Sequence, residues 1–178
     1  AEMMLVHEHA CVAIDRDMPM DRAALLGCAI TTGAGAVFNT TDVTPGETVC
    51  VVGCGGIGLA AVNAAKIAGA GKIIALDPVP EKRAMAEKLG ATHSIDALSD
   101  TAADEVVAIT KGGVHHAIEA VGRAQSAATA GAISTVGRAI ADCATAATAS
   151  RAPAKLQPQP FSSTAIPSRI AASLSITR

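Results

Sequence analysis

A doubly wound α/β domain around a parallel sheet is the fold class predicted for this 178-residue chain, and three observations predict it. Short β-branched, apolar runs alternate with helix-forming runs. The first such strand leads directly into a glycine-rich turn, and the next strand ends on a carboxylate about 20 residues further on, the spacing of a dinucleotide-binding β-α-β unit.

The turn carries most of the information. Thr48 to Val52 reads as a buried parallel strand and runs into Gly53-Cys54-Gly55-Gly56-Ile57-Gly58. Gly53 allows a sharp exit from the strand, Gly55 removes a side chain that would block a pyrophosphate, and Gly58 lets the following helix lie close on the sheet. That helix, read from Leu59 to Ala68 and stopped by Gly69 or Gly71, offers free N–H groups and a positive dipole end to phosphates. Residues 72–77 form a second strand ending on Asp77, an acceptor suited to the two ribose hydroxyls of NAD and repellent to the 2′-phosphate of NADP. The alternative is a domain of this Rossmann type whose glycine turn takes another nucleotide, such as S-adenosylmethionine.

The remaining elements follow in order. Asp21 is placed to cap a helix from Arg22 to about Val37, and Pro45-Gly46 makes a turn. An amphipathic helix over 81–89 stops at Gly90, 93–95 is a third strand, and a helix over 102–110 stops at Gly112-Gly113. A fourth strand spans 114–121, and 131–137 is a fifth. All sixteen glycines lie at or before Gly137, and beyond it Ala, Ser, Thr and Pro dominate while the charge turns from acidic to basic. A stretch of that composition buries too little apolar surface to offset its ordering entropy and is expected to be disordered. The expected domains are a short segment over 1–20, the nucleotide domain over 21–137 and a low-complexity tail over 138–178.

Half of the residues are hydrophobic, yet Trp and Tyr are absent and Phe occurs twice, so the core must be aliphatic and small. A net charge of −2 gives no electrostatic reason to expect nucleic acid or an acidic membrane. No apolar run reads as long enough to span a bilayer, and the N-terminus lacks a signal-peptide pattern. A cytoplasmic protein is the expectation. The five cysteines show no CxxC spacing, and Cys50 and Cys54 beside the turn read as buried free thiols. His7, His9 and Cys11 alternate as on one strand face, which makes them a weaker metal constellation than a surface or interdomain strand face. His115, His116 and Glu119 read as structural.

The run from Ala23 to Gly33, AALLGCAITTG, resembles the zinc-dependent medium-chain alcohol dehydrogenases, and the likeness extends from Ala1 to about Arg123. The resemblance implies that Cys28 is a ligand of the catalytic zinc and that Thr32, one helical turn on, lies toward the nicotinamide. It implies that Lys82 is a second ribose contact, that Gly56 and Ile57 lie against the cofactor with Ile57 behind the nicotinamide, and that Gly122-Arg123 closes over it. The implied cofactors are NAD and zinc, the implied partners a small alcohol or aldehyde, including thiol adducts of formaldehyde, and copies of the chain in a homo-oligomer. The implied reaction is hydride transfer from the alcohol carbon to NAD, with zinc as Lewis acid. The site of this class takes two Cys and one His with an open position. By resemblance, the other Cys and the His belong to segments that would precede Ala1, so the chain is expected to be inactive alone; the abrupt loss of glycine and of hydrophobic periodicity near its other end reads as a truncated or frame-shifted product.

Overall fold

The computed structural model describes residues 3–135 and the backbone of 139–141. A long helical stretch, Met20–Thr41, comes first and is built of α1 (Met20–Leu25), a π segment (Leu26–Ile30), α2 (Thr31–Gly35) and a second π segment (Ala36–Thr41). There follow β1 (Thr48–Val52), α3 (Gly56–Ile67), β2 (Lys72–Leu76), α4 (Pro80–Leu89), β3 (His93–Ile95), α5 (Ala102–Thr110), β4 (His116–Glu119), α6 (Ala124–Ile133) and β5 (Ala139–Ala141). The five strands form one parallel sheet in the order β3-β2-β1-β4-β5. Chain order reverses between β1 and β4, so a crevice opens beyond the carboxyl ends of these two strands.

Residue alternation along the strands divides the core between two faces. Val49, Val51, Ile73, Ala75 and Ile118 point to one face, where Val37, Ala61, Val62, Ala64, Ala65 and Ala86 cover them. Cys50, Val52, Ile74, Leu76 and Ala117 point to the other and meet Val106, Val114, Ala130 and Ile133. Each fully buried Val, Leu or Ile contributes about 1.5–3 kcal/mol. Small residues on α3 let that helix approach the sheet closely, so a core without large aromatic rings still fills its space.

Several expectations are corrected. Asp21 lies in the first turn of α1, and Pro19 is the cap residue, with no side-chain cap bond. The first helix extends to Thr41, and its 22 residues are long and apolar enough to meet the length and hydropathy of a membrane span. Lys111, in the left-handed region at φ 61°, caps α5 ahead of the two glycines. The fourth strand is shorter than 114–121. The described part of the strand expected over 131–137 is not a strand: α6 continues to Ile133, Ser134 makes one isolated bridge to Val114, and a strand, β5, lies at Ala139–Ala141, past Gly137. The alanine-rich run after Arg123 has a single β-branched residue, Thr129, before Ile133, so helical propensity prevails there. His7, His9 and Cys11 do not alternate on a strand, since Glu8–Ala10 is a 3₁₀ turn. The rest of the tail expected over 138–178 lies outside the described residues.

At the amino ends of the strands, Glu47 Oε2 accepts the Thr44 N–H at 2.7 Å and His116 Nε2 at 2.9 Å. These bonds, the backbone one first, hold the Glu47 carboxyl down at about 2 against an ordinary 4.5. The lowered folded-state value means that Glu47 stabilises the fold above pH 4.5 and that this contribution is lost as the pH falls from 4.5 toward 2. Thermal unfolding of the wild type and Glu47→Gln between pH 7 and pH 2 is expected to show the variant less stable at neutral pH and the gap closing across that acidic window.

Candidate functional site

Both sides of the phosphate-binding turn are fixed by what its glycines lack. Gly53 sits at φ +96°, and a Cβ there would fall 2.5 Å from Val121 Cγ2. A Cβ on Gly58 would fall 1.8 Å from the Gly53 carbonyl oxygen, so the first turn of α3 rests directly on the backbone leaving β1. Gly55, by contrast, has an ordinary φ of −79°, and a Cβ added to it meets nothing within 4 Å. Gly55 is the N-cap of α3 without a side-chain cap bond, and Leu59 is the first residue to donate back to it. The N–H groups of Gly56, Ile57 and Gly58 therefore have no intrahelical acceptor and face the open space above Gly55.

Asp77 is buried, 4% exposed, and wired to this turn. Its Oδ2 accepts the Cys54 N–H at 2.8 Å and its Oδ1 accepts the Val79 N–H at 2.9 Å. Arg83 Nη1 donates to the Asp77 carbonyl at 2.7 Å and lies 3.7 Å from Asp96. Lys82 is exposed on α4, on the same rim. Burial and then the Asp77 carboxylate push the Cys54 thiol up to about 12, with Lys82 and Arg83 pulling the other way. Burial likewise pushes the Cys50 thiol well above its ordinary value. Both thiols stay protonated and inert, as expected of buried cysteines beside the turn.

A groove runs from this turn across the crevice. Its lining includes Val52 and Gly53 at the end of β1, Leu76 and Pro78 at the end of β2, Leu98 after β3, Val121 and Arg123 after β4, and Gln125, Ser126 and Thr129 on α6. Exposed Arg123 lines this groove next to Gly122, which sits at φ +80°, and Asp77 lies between the lining residues Leu76 and Pro78. Glu119 holds the loop at Gly122 in shape. Its buried Oε1 accepts the Val121 N–H at 2.8 Å, the Gly122 N–H at 2.9 Å and the Ser126 hydroxyl at 2.6 Å. Its other oxygen meets no donor among the described residues.

Cys28 is exposed in the π segment before α2, and Thr32 is half-buried on α2. Ala29 is the nearest neighbour of a Cβ built on Gly56, at 3.3 Å, which brings this segment up against the glycine turn. The fit to zinc is another matter. Among the described residues no three His, Cys, Asp or Glu side chains converge as a metal site, and one exposed thiolate does not make a tetrahedral centre. Zinc therefore does not fit the described residues alone. A dinucleotide does, with open N–H groups at the turn, a buried carboxylate beside it and a groove leading away.

Sequence reasoning missed Arg83, Pro78, Leu98, Gln125 and Thr129. Arg83 directly follows the ribose candidate Lys82 and could have been found by asking what holds the Asp77 main chain. Of the groove residues, Pro78 follows β2, Leu98 follows β3, and Gln125 and Thr129 lie on α6, so only the strand order assembles them.

Residues 56–162 match the family model described as zinc-binding dehydrogenase. S-(hydroxymethyl)glutathione dehydrogenase of Saccharomyces cerevisiae is 39% identical over 127 residues, which cover 68% of this chain and 33% of that protein. Alcohol dehydrogenase B of Mycobacterium tuberculosis is 48% identical over 90 residues, covering 51% and 24%. Among solved structures, benzyl alcohol dehydrogenase from Acinetobacter calcoaceticus superposes with a TM-score of 0.66 at 37% identity over 69% of this chain and 34% of its own. An alcohol dehydrogenase zinc-binding domain protein from Burkholderia ambifaria gives 0.65 at 40% identity, over 68% and 33%. The chain thus spans about a third of the length of the first curated relative it matches. With the glycine turn, the reversed strand order and the buried carboxylate in common purpose, the chain belongs to the zinc-dependent medium-chain alcohol dehydrogenases, in the region of their NAD-binding domain.

Proposed function

We propose that this chain is the dinucleotide-binding part of an NAD- and zinc-dependent alcohol dehydrogenase acting on an alcohol or a thiol adduct of an aldehyde. The observation that carries the reading is the Cys54 N–H to Asp77 bond, which joins the phosphate-binding turn to the ribose acceptor in one rigid unit. In this reading Gly53, Gly55, Gly56, Ile57 and Gly58 cradle the pyrophosphate, Asp77 and Lys82 hold the adenosine ribose, and Gly122-Arg123 borders the cofactor. Bound NAD supplies the hydride acceptor. Residues 21–137 form most of the nucleotide domain, and 1–20 belong to the neighbouring catalytic domain. The names of the yeast and bacterial relatives support both classes of substrate equally.

A second reading, dinucleotide binding without turnover, is favoured by one observation. Cys28 is the sole proposed zinc ligand in the chain, and it stands without companions among the described residues. Metal analysis of the purified chain separates the two readings. Less than one tightly held zinc, with no alcohol-dependent NADH formation, is expected of the chain alone. One bound equivalent with turnover overturns the second reading.

Calorimetric titration tests the first. NAD is expected to bind and S-adenosylmethionine not; the reverse order removes the dehydrogenase reading. Replacing Asp77 with Ser is expected to cost NAD about 1–3 kcal/mol of binding, for lost hydrogen bonds to a charged group, while sparing NADP. Equal losses for both nucleotides would place Asp77 outside the ribose site.

The two glycines at either end of the turn give opposite results. Gly58→Ala is expected to destabilise the fold by about 1–3 kcal/mol or more through overpacking, seen as a lower Tm. Gly55→Val is expected to leave stability within about 0.5 kcal/mol yet abolish NAD binding, because its side chain enters only the ligand's space.

A further inference from the structure

Of the 22 residues in Met20–Thr41, only Gly33 and Val37 are buried, one helical turn apart. The whole stretch is therefore registered on the domain through a narrow contact. Gly33 makes that contact possible: a Cβ there would lie 2.3 Å from the Ile57 carbonyl oxygen and 2.8 Å from both Ala60 Cβ and Ala61 N. Ile57 belongs to the glycine turn itself. One turn earlier, Ala29 stands beside Gly56, 3.3 Å from where a Cβ there would be. The stripe Ala29–Gly33–Val37 thus meets α3 through Ala29 and Gly33, at Gly56, Ile57, Ala60 and Ala61, and Cys28 and Thr32 each sit one residue before a member of it.

Backbone freedom is not the reason for glycine at this position. Gly33 is helical and absent from the residues with positive φ. Nor is it a general property of the segment. Gly27 has nothing within 4 Å of a built Cβ, and Gly35 has only the Asn39 side chain at 3.8 Å. Close approach is demanded at Gly33 alone. The π segments on both sides of α2 reinforce the point, because each shifts the helical register and so makes the placement of Cys28 depend on where α2 is pinned.

We propose that Gly33 is a positioning residue that pins the Cys28–Thr32 segment to the phosphate-binding turn, so that a dinucleotide on the turn alters the surroundings of Cys28. The coupling half of this proposal rests on the dinucleotide reading above; the pinning half does not. Two measurements on the full chain test it, using wild type, Gly33→Ala and the control Gly35→Ala. The first is hydrogen exchange over residues 56–61 without nucleotide. The second is the alkylation rate of Cys28 by iodoacetamide, followed by peptide mass spectrometry with and without NAD.

In Gly33→Ala, exchange over 56–61 is expected to accelerate about tenfold or more, the scale set by overpacking one methyl group. NAD is expected to slow Cys28 alkylation in the wild type and in Gly35→Ala, and to lose that effect in Gly33→Ala while calorimetry still detects its binding. A merely structural glycine would move the exchange without uncoupling Cys28 from the nucleotide. If Gly33→Ala does not fold, Ala29→Val presses on Gly56 from the same stripe and is expected to give both changes in weaker form. Gly33→Ala indistinguishable from Gly35→Ala in both measurements overturns the proposal. So does wild-type Cys28 alkylation that is indifferent to saturating NAD. Failure of the wild type to bind NAD by calorimetry instead removes the dinucleotide reading, and the exchange comparison then decides the pinning by itself.

Discussion

The rest of the molecule depends on a contact between two backbones, the carbonyl of Gly53 and the α-carbon of Gly58. A side chain on Gly58 would have to occupy the place of that oxygen, so the strand and the helix meet at a distance only glycine permits. Two consequences follow from this closeness. It aims the unbonded N–H groups of the first helical turn at the space above Gly55. It also brings α3 low enough on the sheet for Ala61, Ala64 and Ala65 to seal one face of the core. The open helix N-terminus and the core packing therefore share one geometric cause.

The sheet order then determines what the turn can hold. Because the chain doubles back between β1 and β4, the ends of four strands contribute to one crevice, and a groove opens beside the glycine turn. Glu119 stabilises the loop after β4 by gathering two main-chain N–H groups and the Ser126 hydroxyl on a single buried oxygen. These three bonds shape a loop that would otherwise have only Gly122 to define its turn. The zinc side of the family's chemistry is represented by a single exposed thiol, so the described residues form a nucleotide platform more fully than a reaction centre.

Much of this was legible in the sequence, for physical reasons that particular residues make plain. Gly58 is constrained by the Gly53 carbonyl five residues earlier, and the apolar strands Thr48–Val52 and Lys72–Leu76 are buried on both faces, so local patterning suffices for them. The family likeness correctly indicated the family to which the chain belongs. What escaped was decided by tertiary or helical context. The fifth strand was read too early because 131–137 looks apolar, whereas α6 propagates through those alanines to Ile133. The N-terminal histidines alternate in sequence, yet the chain turns at Glu8–Ala10 and brings the His7 and His9 rings to 5.0 Å on an exposed surface. The role of Arg83 needed the end of β2 and the start of α4 to be seen together.

The double anchoring of Asp77 has a thermodynamic meaning for recognition. A carboxylate on a free side chain must give up rotational freedom when a ligand's hydroxyls arrive, and that loss subtracts from affinity. Here Cys54 and Val79 hold both oxygens, and Arg83 holds the carbonyl behind them, before any ligand is present. The ordering cost has already been met by folding. A rigid acceptor also yields little to a poor fit, so a molecule that offers no hydroxyl pair finds no rearranged alternative. In the dinucleotide reading proposed above, selectivity at this end of the groove is thus a property of the folded backbone, set by the same glycine turn.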